Sequence, residues 1–176
     1  HFPPGEWVSW YTGFKFTGPA DLGVPAVIGQ PPLFVRVGAA LEMLAPEVQT
    51  LVPTTATDLV DADDRANTRV LRVVPGAETM VTLDDATARV RSTGPERAEL
   101  VFTAGARVTR LRAEFDFGTM GSGAAVRVGT ARAVEDPRAT TGGCTSCWSS
   151  AISRPLITVS VEGSTTVSLT RDGSTP

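Results

Sequence analysis

The sequence predicts an all-β protein: antiparallel β-sandwiches arranged as two small packed subdomains, with very little helix. Three observations carry this. Apolar residues alternate with polar ones residue by residue, the period of a half-buried strand. Seventeen glycines and thirteen prolines in 176 residues punctuate these runs at the spacing of sandwiches and barrels. No stretch sustains the 3.6-residue period of an amphipathic helix.

The elements follow in order. Pro3, Pro4 and Gly5 preset an entry turn. A strand over 6–11 puts Trp7 and Tyr11 on one face and Val8 and Trp10 on the other. Thr12-Gly13 reverses the chain, and Phe14 and Phe16 begin a return strand over 14–17. A Pro-rich crossing leads to a strand over 33–37, and 38–44 reads as a helical turn stopped by Pro46. The polar connector 53–68, PTTATDLVDADDRANT, places the subdomain boundary, giving 1–54 and 55–176. Strands are expected over 69–74, 79–83, 87–91 and 98–102. In 109–117, Leu111, Ala113, Phe115 and Phe117 oppose Arg110, Arg112, Glu114 and Asp116, an alternation that predicts one wet face. Further strands fall at 124–128, 156–162 and 165–169, with a short turn over 131–135 before Pro137.

Charge narrows the partners. Sixteen basic and 19 acidic residues leave a formal net charge of −3, too even a balance to point to nucleic acid or an anionic membrane as the main partner. Lys15 is the only lysine, and the arginines are spread along the chain. No apolar run approaches the ~20 residues of a spanning helix. The chain starts at His1 without the charged-then-apolar pattern of a signal peptide, so it reads as a processed or excised piece of a longer protein.

Candidate sites are few. Trp7, Trp10 and Tyr11 offer either a sugar-stacking platform or, as the commoner use of alternating aromatics, core packing. Asp58, Asp61, Asp63 and Asp64 form the densest acidic cluster. Counted from Asp61, a calcium loop would need Gly where Ala66 stands and Glu where Arg72 stands, so a solvated connector is expected rather than a metal site. Cys144 and Cys147, in GCTSCW, suit a small local disulfide shielded by Trp148 or two reduced thiols, and the disulfide reading leans to an exported protein. Zinc would need two more ligands, and His1 is the only histidine, which leaves nucleophilic catalysis of the Ser–His type without material. Gly118, Gly121 and Gly123 open no helix, so no phosphate loop forms. No catalytic, metal or cofactor set is expected.

Residues 1–44 nevertheless carry a specific pattern. Pro4, Glu6 to Trp10, Thr12-Gly13 and then Pro32-Leu33-Phe34-Val35-Arg36-Val37-Gly38 stand in fixed order. This stretch resembles the proximal C-terminal domain of glycoside hydrolase family 31, the α-glucosidases and α-xylosidases, where PxGxWxDxWTG precedes (I/L)PxFVRxG. Ser9 departs from the family's acidic or amide residue, and Gln30-Pro31 from a common acidic one. In 55–176 the likeness to a distal β domain is thinner, with Leu83 to Thr87 a shortened echo of an acidic YEDDG segment. The resemblance implies a (β/α) barrel upstream of His1 with two aspartates working by the retaining mechanism, whose carboxyl groups stand about 5–5.5 Å apart. No residue here matches those catalytic motifs. The resemblance therefore implies a non-catalytic module bracing an absent barrel, starting partway through a sandwich. Its sheet edge would be open to the missing chain or to self-association. The alternative is an independent carbohydrate-binding or extracellular interaction sandwich.

Overall fold

The computed structural model describes residues 1–25, 27–94, 96–117, 124–140, 146–150 and 156–171. It is all-β, and among the described residues the only helical structure is two short 3-10 turns at Asp63–Arg65 and Pro137–Thr140.

The first sheet has three strands in the order β2-β1-β3: β1 (Phe2–Ser9), β2 (Lys15–Ala20) and β3 (Phe34–Arg36). The Thr12-Gly13 reversal forms as expected. Gly13 takes a positive φ of 71°, open to glycine at little steric cost, and the Phe14 amide donates to Thr12 Oγ1. Cross-strand register puts Trp7 opposite Phe16 and Arg36, while Val8 lies opposite Lys15 and Val35. One face of this sheet therefore carries Trp7, Phe16, Phe34 and Arg36; the other carries Val8, Val35 and Lys15.

The remainder is a sandwich of two six-stranded sheets. One comprises β6 (Thr79–Leu83), β7 (Ala86–Gly94), β8 (Arg97–Thr103), β15 (Thr165–Arg171), β10 (Ala124–Val128) and β11 (Ala131–Arg132). The other runs β12 (Val134–Glu135), β13 (Cys147–Ser150), β14 (Leu156–Glu162), β9 (Arg110–Asp116), β5 (Thr68–Val73) and β4 (Ala40–Met43). Their inner faces share one core, in which Leu71, Leu83, Leu100, Phe102, Leu111 and Phe115 are buried. Burying a side chain of this size contributes about 1.5–3 kcal/mol.

Several sequence expectations change here. The second sheet is mixed, because β5 runs parallel to β9 and β12 parallel to β13. The meander β6–β8 intervenes between β5 and β9 and supplies the long crossover that parallel pairing requires. Residues 40–43, expected as part of a helical turn, form strand β4 against β5. The 131–135 turn is instead two two-residue strands, and the 3-10 turn comes after it. The 53–68 connector follows β4, whereas the hydrogen-bonded sheets change earlier, at residues 37–39.

At that change the backbones nearly touch. Gly38 and Val74 are hydrogen-bonded through Gly38 N–H to Val74 C=O at 2.9 Å, and the Val74 amide donates to Ala39 C=O at 2.9 Å. A Cβ on Gly76 would lie 2.5 Å from the Gly38 nitrogen. Gly76→Ala is therefore expected to destabilise the chain by about 1–3 kcal/mol in urea unfolding. Gly23→Ala, with nothing within 4 Å of its Cβ, is expected to stay within about 0.5 kcal/mol of the parent.

Candidate functional site

Two regions of the structure concentrate chemistry. The first is the aromatic face of the N-terminal sheet. Phe2 sits 4.7 Å from Phe16 and 4.8 Å from Phe34, both edge-to-face, and 5.8 Å from Trp7. Phe14 stacks on Phe16 at 6.1 Å. These distances lie in the favourable range for aromatic pairs. Beside them, Tyr11, Phe14, Phe16, Val24, Val27 and Leu33 line a groove of about 370 Å³. Arg36 stands at the far end, where Nη2 donates to Pro4 C=O at 3.2 Å and its guanidinium lies over Gly5.

The three aromatics singled out as a sugar platform do not share a surface. Trp7 belongs to the aromatic face and donates Nε1–H to Pro3 C=O at 3.1 Å. Tyr11 lines the groove. Trp10 points the other way, packs on the Val8–Val35–Val74 cluster and carries the Arg72 guanidinium 4.0 Å above its ring.

The second region is a buried charged layer on the outer face of β5, β9 and β14. Arg72, Arg112, Asp116, Thr158 and Ser160 are all buried there, where alternation predicted a wet face. The correction has a plain cause: Trp10 and the segment carrying Glu47 reach these residues from outside the sandwich. Arg72 pairs with Asp116 at 3.0 Å and approaches Glu114 at 3.8 Å. Arg112, 1% exposed, makes a two-pronged pair with Glu47 at 2.6 and 3.0 Å, and Arg65 reaches the same carboxylate at 3.3 Å. Burial raises the Glu47 pKa, but hydrogen bonds from Arg112 and Arg65 and the Arg112 charge outweigh it and hold the group below its ordinary 4.5.

The acidic cluster resolves into backbone chemistry. Asp61 accepts from the amides of Thr54 at 2.8 Å, Asp63 at 2.9 Å and Asp64 at 3.1 Å. The Thr54 amide leads in holding its carboxyl below the usual value. Among the described residues, no group of three or more His, Cys, Asp or Glu side chains is placed to hold a metal ion. Asp85, in the Leu83–Thr87 segment, likewise accepts from the Arg107 amide at 2.7 Å and the Val108 amide at 3.0 Å, which hold its carboxyl low. Sequence reasoning missed both roles: the Asp61 amides come from a local turn together with Thr54, seven residues back, and the Asp85 amides from Arg107 and Val108, more than twenty residues on. Cys147 is disulfide-bonded and sits in β13 beside Trp148, while Cys144 lies outside the described residues, as do Gly118, Gly121 and Gly123.

No family model and no curated protein matches the chain. Solved structures do. A cycloalternan-forming enzyme from Listeria monocytogenes, solved with a pentasaccharide substrate, aligns at a TM-score of 0.71 with 18% identity. The alignment covers 97% of this chain and 16% of that one. A GH31 dextranase from Flavobacterium johnsoniae, solved with isomaltotriose, aligns at 0.68 with 14% identity, over 97% of this chain and 24% of that one. An α-1,4-glucan lyase from Gracilariopsis lemaneiformis aligns at 0.59 with 14% identity, over 97% and 20%. This chain has the fold of one part of these enzymes. It spans between 16% and 24% of their length.

The charged layer has a measurable signature. Glu47→Gln removes the charge that neutralises a fully buried guanidinium and is expected to cost about 3 kcal/mol in urea unfolding at pH 7. Because the folded pKa of Glu47 is depressed, its contribution is present above pH 4.5 and lost as pH falls through the folded value. Melting temperature should therefore fall below pH 4.5, and less steeply in the Glu47→Gln variant. Equal acid slopes in the two proteins would show that this pair does not contribute.

Proposed function

We propose that this chain is a non-catalytic β module of a larger family 31-like α-glycoside hydrolase, where it braces the catalytic barrel. One observation carries the reading: 97% of the chain superimposes on enzymes of α-glucan chemistry, yet accounts for at most 24% of any of the three described above. The family 31 pattern of residues 1–44 supports it, since the segments that bear the pattern build the first sheet and its turns. Pro4 accepts from Arg36, joining the two halves of that pattern across the sheet. In this reading the three-stranded N-terminal sheet belongs to a proximal sandwich and the two six-stranded sheets, β4 included, form a distal one, with the boundary nearer residues 37–39 than 54.

The chemistry on the page agrees. Retaining hydrolysis needs two carboxyl groups facing a sugar-sized cleft. The carboxylates of the charged layer are instead committed to arginines, as Asp116 is to Arg72 and Glu47 to Arg112. Those of the loops, Asp61 and Asp85, are committed to backbone amides.

A second reading, carbohydrate binding by the chain itself, draws on the Tyr11-lined groove. Assays of the 176-residue chain and of the full encoded polypeptide separate the two. On the first reading, α-glucoside and α-xyloside hydrolysis appears only with the full polypeptide, and calorimetry of the short chain with α-glucans stays flat. Hydrolysis by the short chain alone would overturn the non-catalytic assignment. Saturable glucan binding abolished by Tyr11→Ala would favour the second reading.

A further inference from the structure

We propose that the outer face of the first six-stranded sheet binds a polysaccharide carrying carboxylate groups, independently of the function proposed above. The net charge of −3 conceals how the strands redistribute charge. Cross-strand register puts Arg91, Glu99, Ser168, Arg127 and Arg132 in one row across β7, β8, β15, β10 and β11. Arg89, opposite Val101, and Arg97, opposite Thr170, stand in the rows on either side. The alternate residues Val90, Leu100, Val126, Val167 and Leu169 lie in the core, so all of these arginines face outward.

Five arginines and one glutamate therefore meet on one face of a chain that is acidic as a whole. Glu99 is paired with Arg91 at 2.9 Å. Arg89, Arg97, Arg127 and Arg132 are exposed and form no ion pair among the described residues. Arg127 donates to the Thr130 C=O at 3.4 Å, which leaves its charge uncompensated. Glu42, Glu47, Asp84 and Asp116 are committed to arginines elsewhere.

The chemistry of the face selects the occupant. Guanidinium groups spread over several strands fit an extended ligand with repeated charge rather than one small anion. Four strand spacings of ~4.8 Å carry the row from β7 to β11, a span of about 19 Å. Each guanidinium presents a planar fork of N–H donors that matches a carboxylate. Between them the hydroxyls of Thr87, Thr103, Thr166, Ser168 and Thr170 stand on the same face, able to exchange hydrogen bonds with those of a sugar. An acidic protein fits less well, because protein interfaces are anchored by aromatic and other large side chains buried at their centre. The largest apolar side chains that these strands bring to the face are Val101 and, at the edge, Met80. Single-stranded nucleic acid lacks the same anchor, since its bases stack on aromatic rings.

Calorimetric titration of the 176-residue chain and of the full encoded polypeptide with polygalacturonate tests this. Both should bind saturably, and affinity should fall about tenfold or more between about 50 and 200 mM salt. Arg127→Glu should weaken binding about tenfold at the lower salt. Lys15→Glu makes the same change of charge on the N-terminal sheet and should leave affinity within about twofold. Should Arg127→Glu melt lower than the parent, Arg89→Gln with Arg97→Gln carries the same expectation at exposed positions without an ion pair. No binding by either form, undiminished binding by folded arginine variants, or an equal loss in Lys15→Glu would overturn the proposal. Equal or tighter binding of poly-glutamate or of oligo-deoxythymidine would give the face to an acidic protein or a nucleic acid and overturn it too. Equal binding of neutral dextran would remove charge as the cause, with the same result. Binding by the short chain that the full polypeptide lacks would show the face covered, and that also overturns it.

Discussion

The buried arginines of the second six-stranded sheet set the terms for everything packed against it. A guanidinium stays charged at any pH the protein meets, so one that leaves water must take a carboxylate or an aromatic face with it. Arg112 meets this demand through Glu47, and Arg72 through Asp116, Glu114 and the ring of Trp10. Each solution draws in an element from outside the sandwich: Glu47 holds the segment after β4 to the sheet, and Trp10 holds the N-terminal sheet. A buried ion pair contributes little net stability compared with an apolar replacement, but it leaves few alternative placements for the partners that neutralise it. The charged layer thus acts as an address that seats both neighbours, while Val8, Val35 and Val74 supply the apolar contact at the same junction.

Alternation identified the core well and its limits are instructive. Leu111, Ala113, Phe115 and Phe117 lie buried on the face their parity assigned. Parity also separated Arg112 and Asp116 from them, but a period of two says only that two faces differ. Whether a third layer covers the second face depends on residues far along the chain, Trp10 and Glu47, whose reach no local pattern encodes. Strand β4 failed for a related reason. Ala40-Leu41-Glu42-Met43 has the composition of a helical turn, and only its pairing with β5 makes it a strand. Strand β13 escaped notice because its four residues, Cys147 to Ser150, include a single large apolar side chain, Trp148. The acidic cluster could be excluded as a calcium loop by counting, yet the amides that converge on Asp61 depend on a turn geometry that the composition does not specify.

The segment whose pattern was most specific is also one whose residues have geometric work. Arg36 fills the space over Gly5 and closes on Pro4, Thr12 caps the turn at Phe14, and Gly38 takes a φ of 90° where the chain passes between sheets. Such positions tolerate few side chains. Strand interiors of the sandwich tolerate many apolar choices of similar volume. A fold can then persist at 14–19% identity, as it does against the solved structures, while its turn and crossing residues stay readable in a single sequence.

The single lysine has a consequence of a different kind. Lys15 opens β2, exposed, in the N-terminal sheet. From Phe2 to Pro176 it is the only side chain that offers a primary amine, because every other basic residue is an arginine. Acylation, glycation and amine-directed immobilisation therefore reach the side chains of this chain at one strand, and the sandwich that makes up most of it presents no side-chain amine to modify. The molecule is in effect labelled by its own composition, with a single side-chain amine standing on the N-terminal sheet.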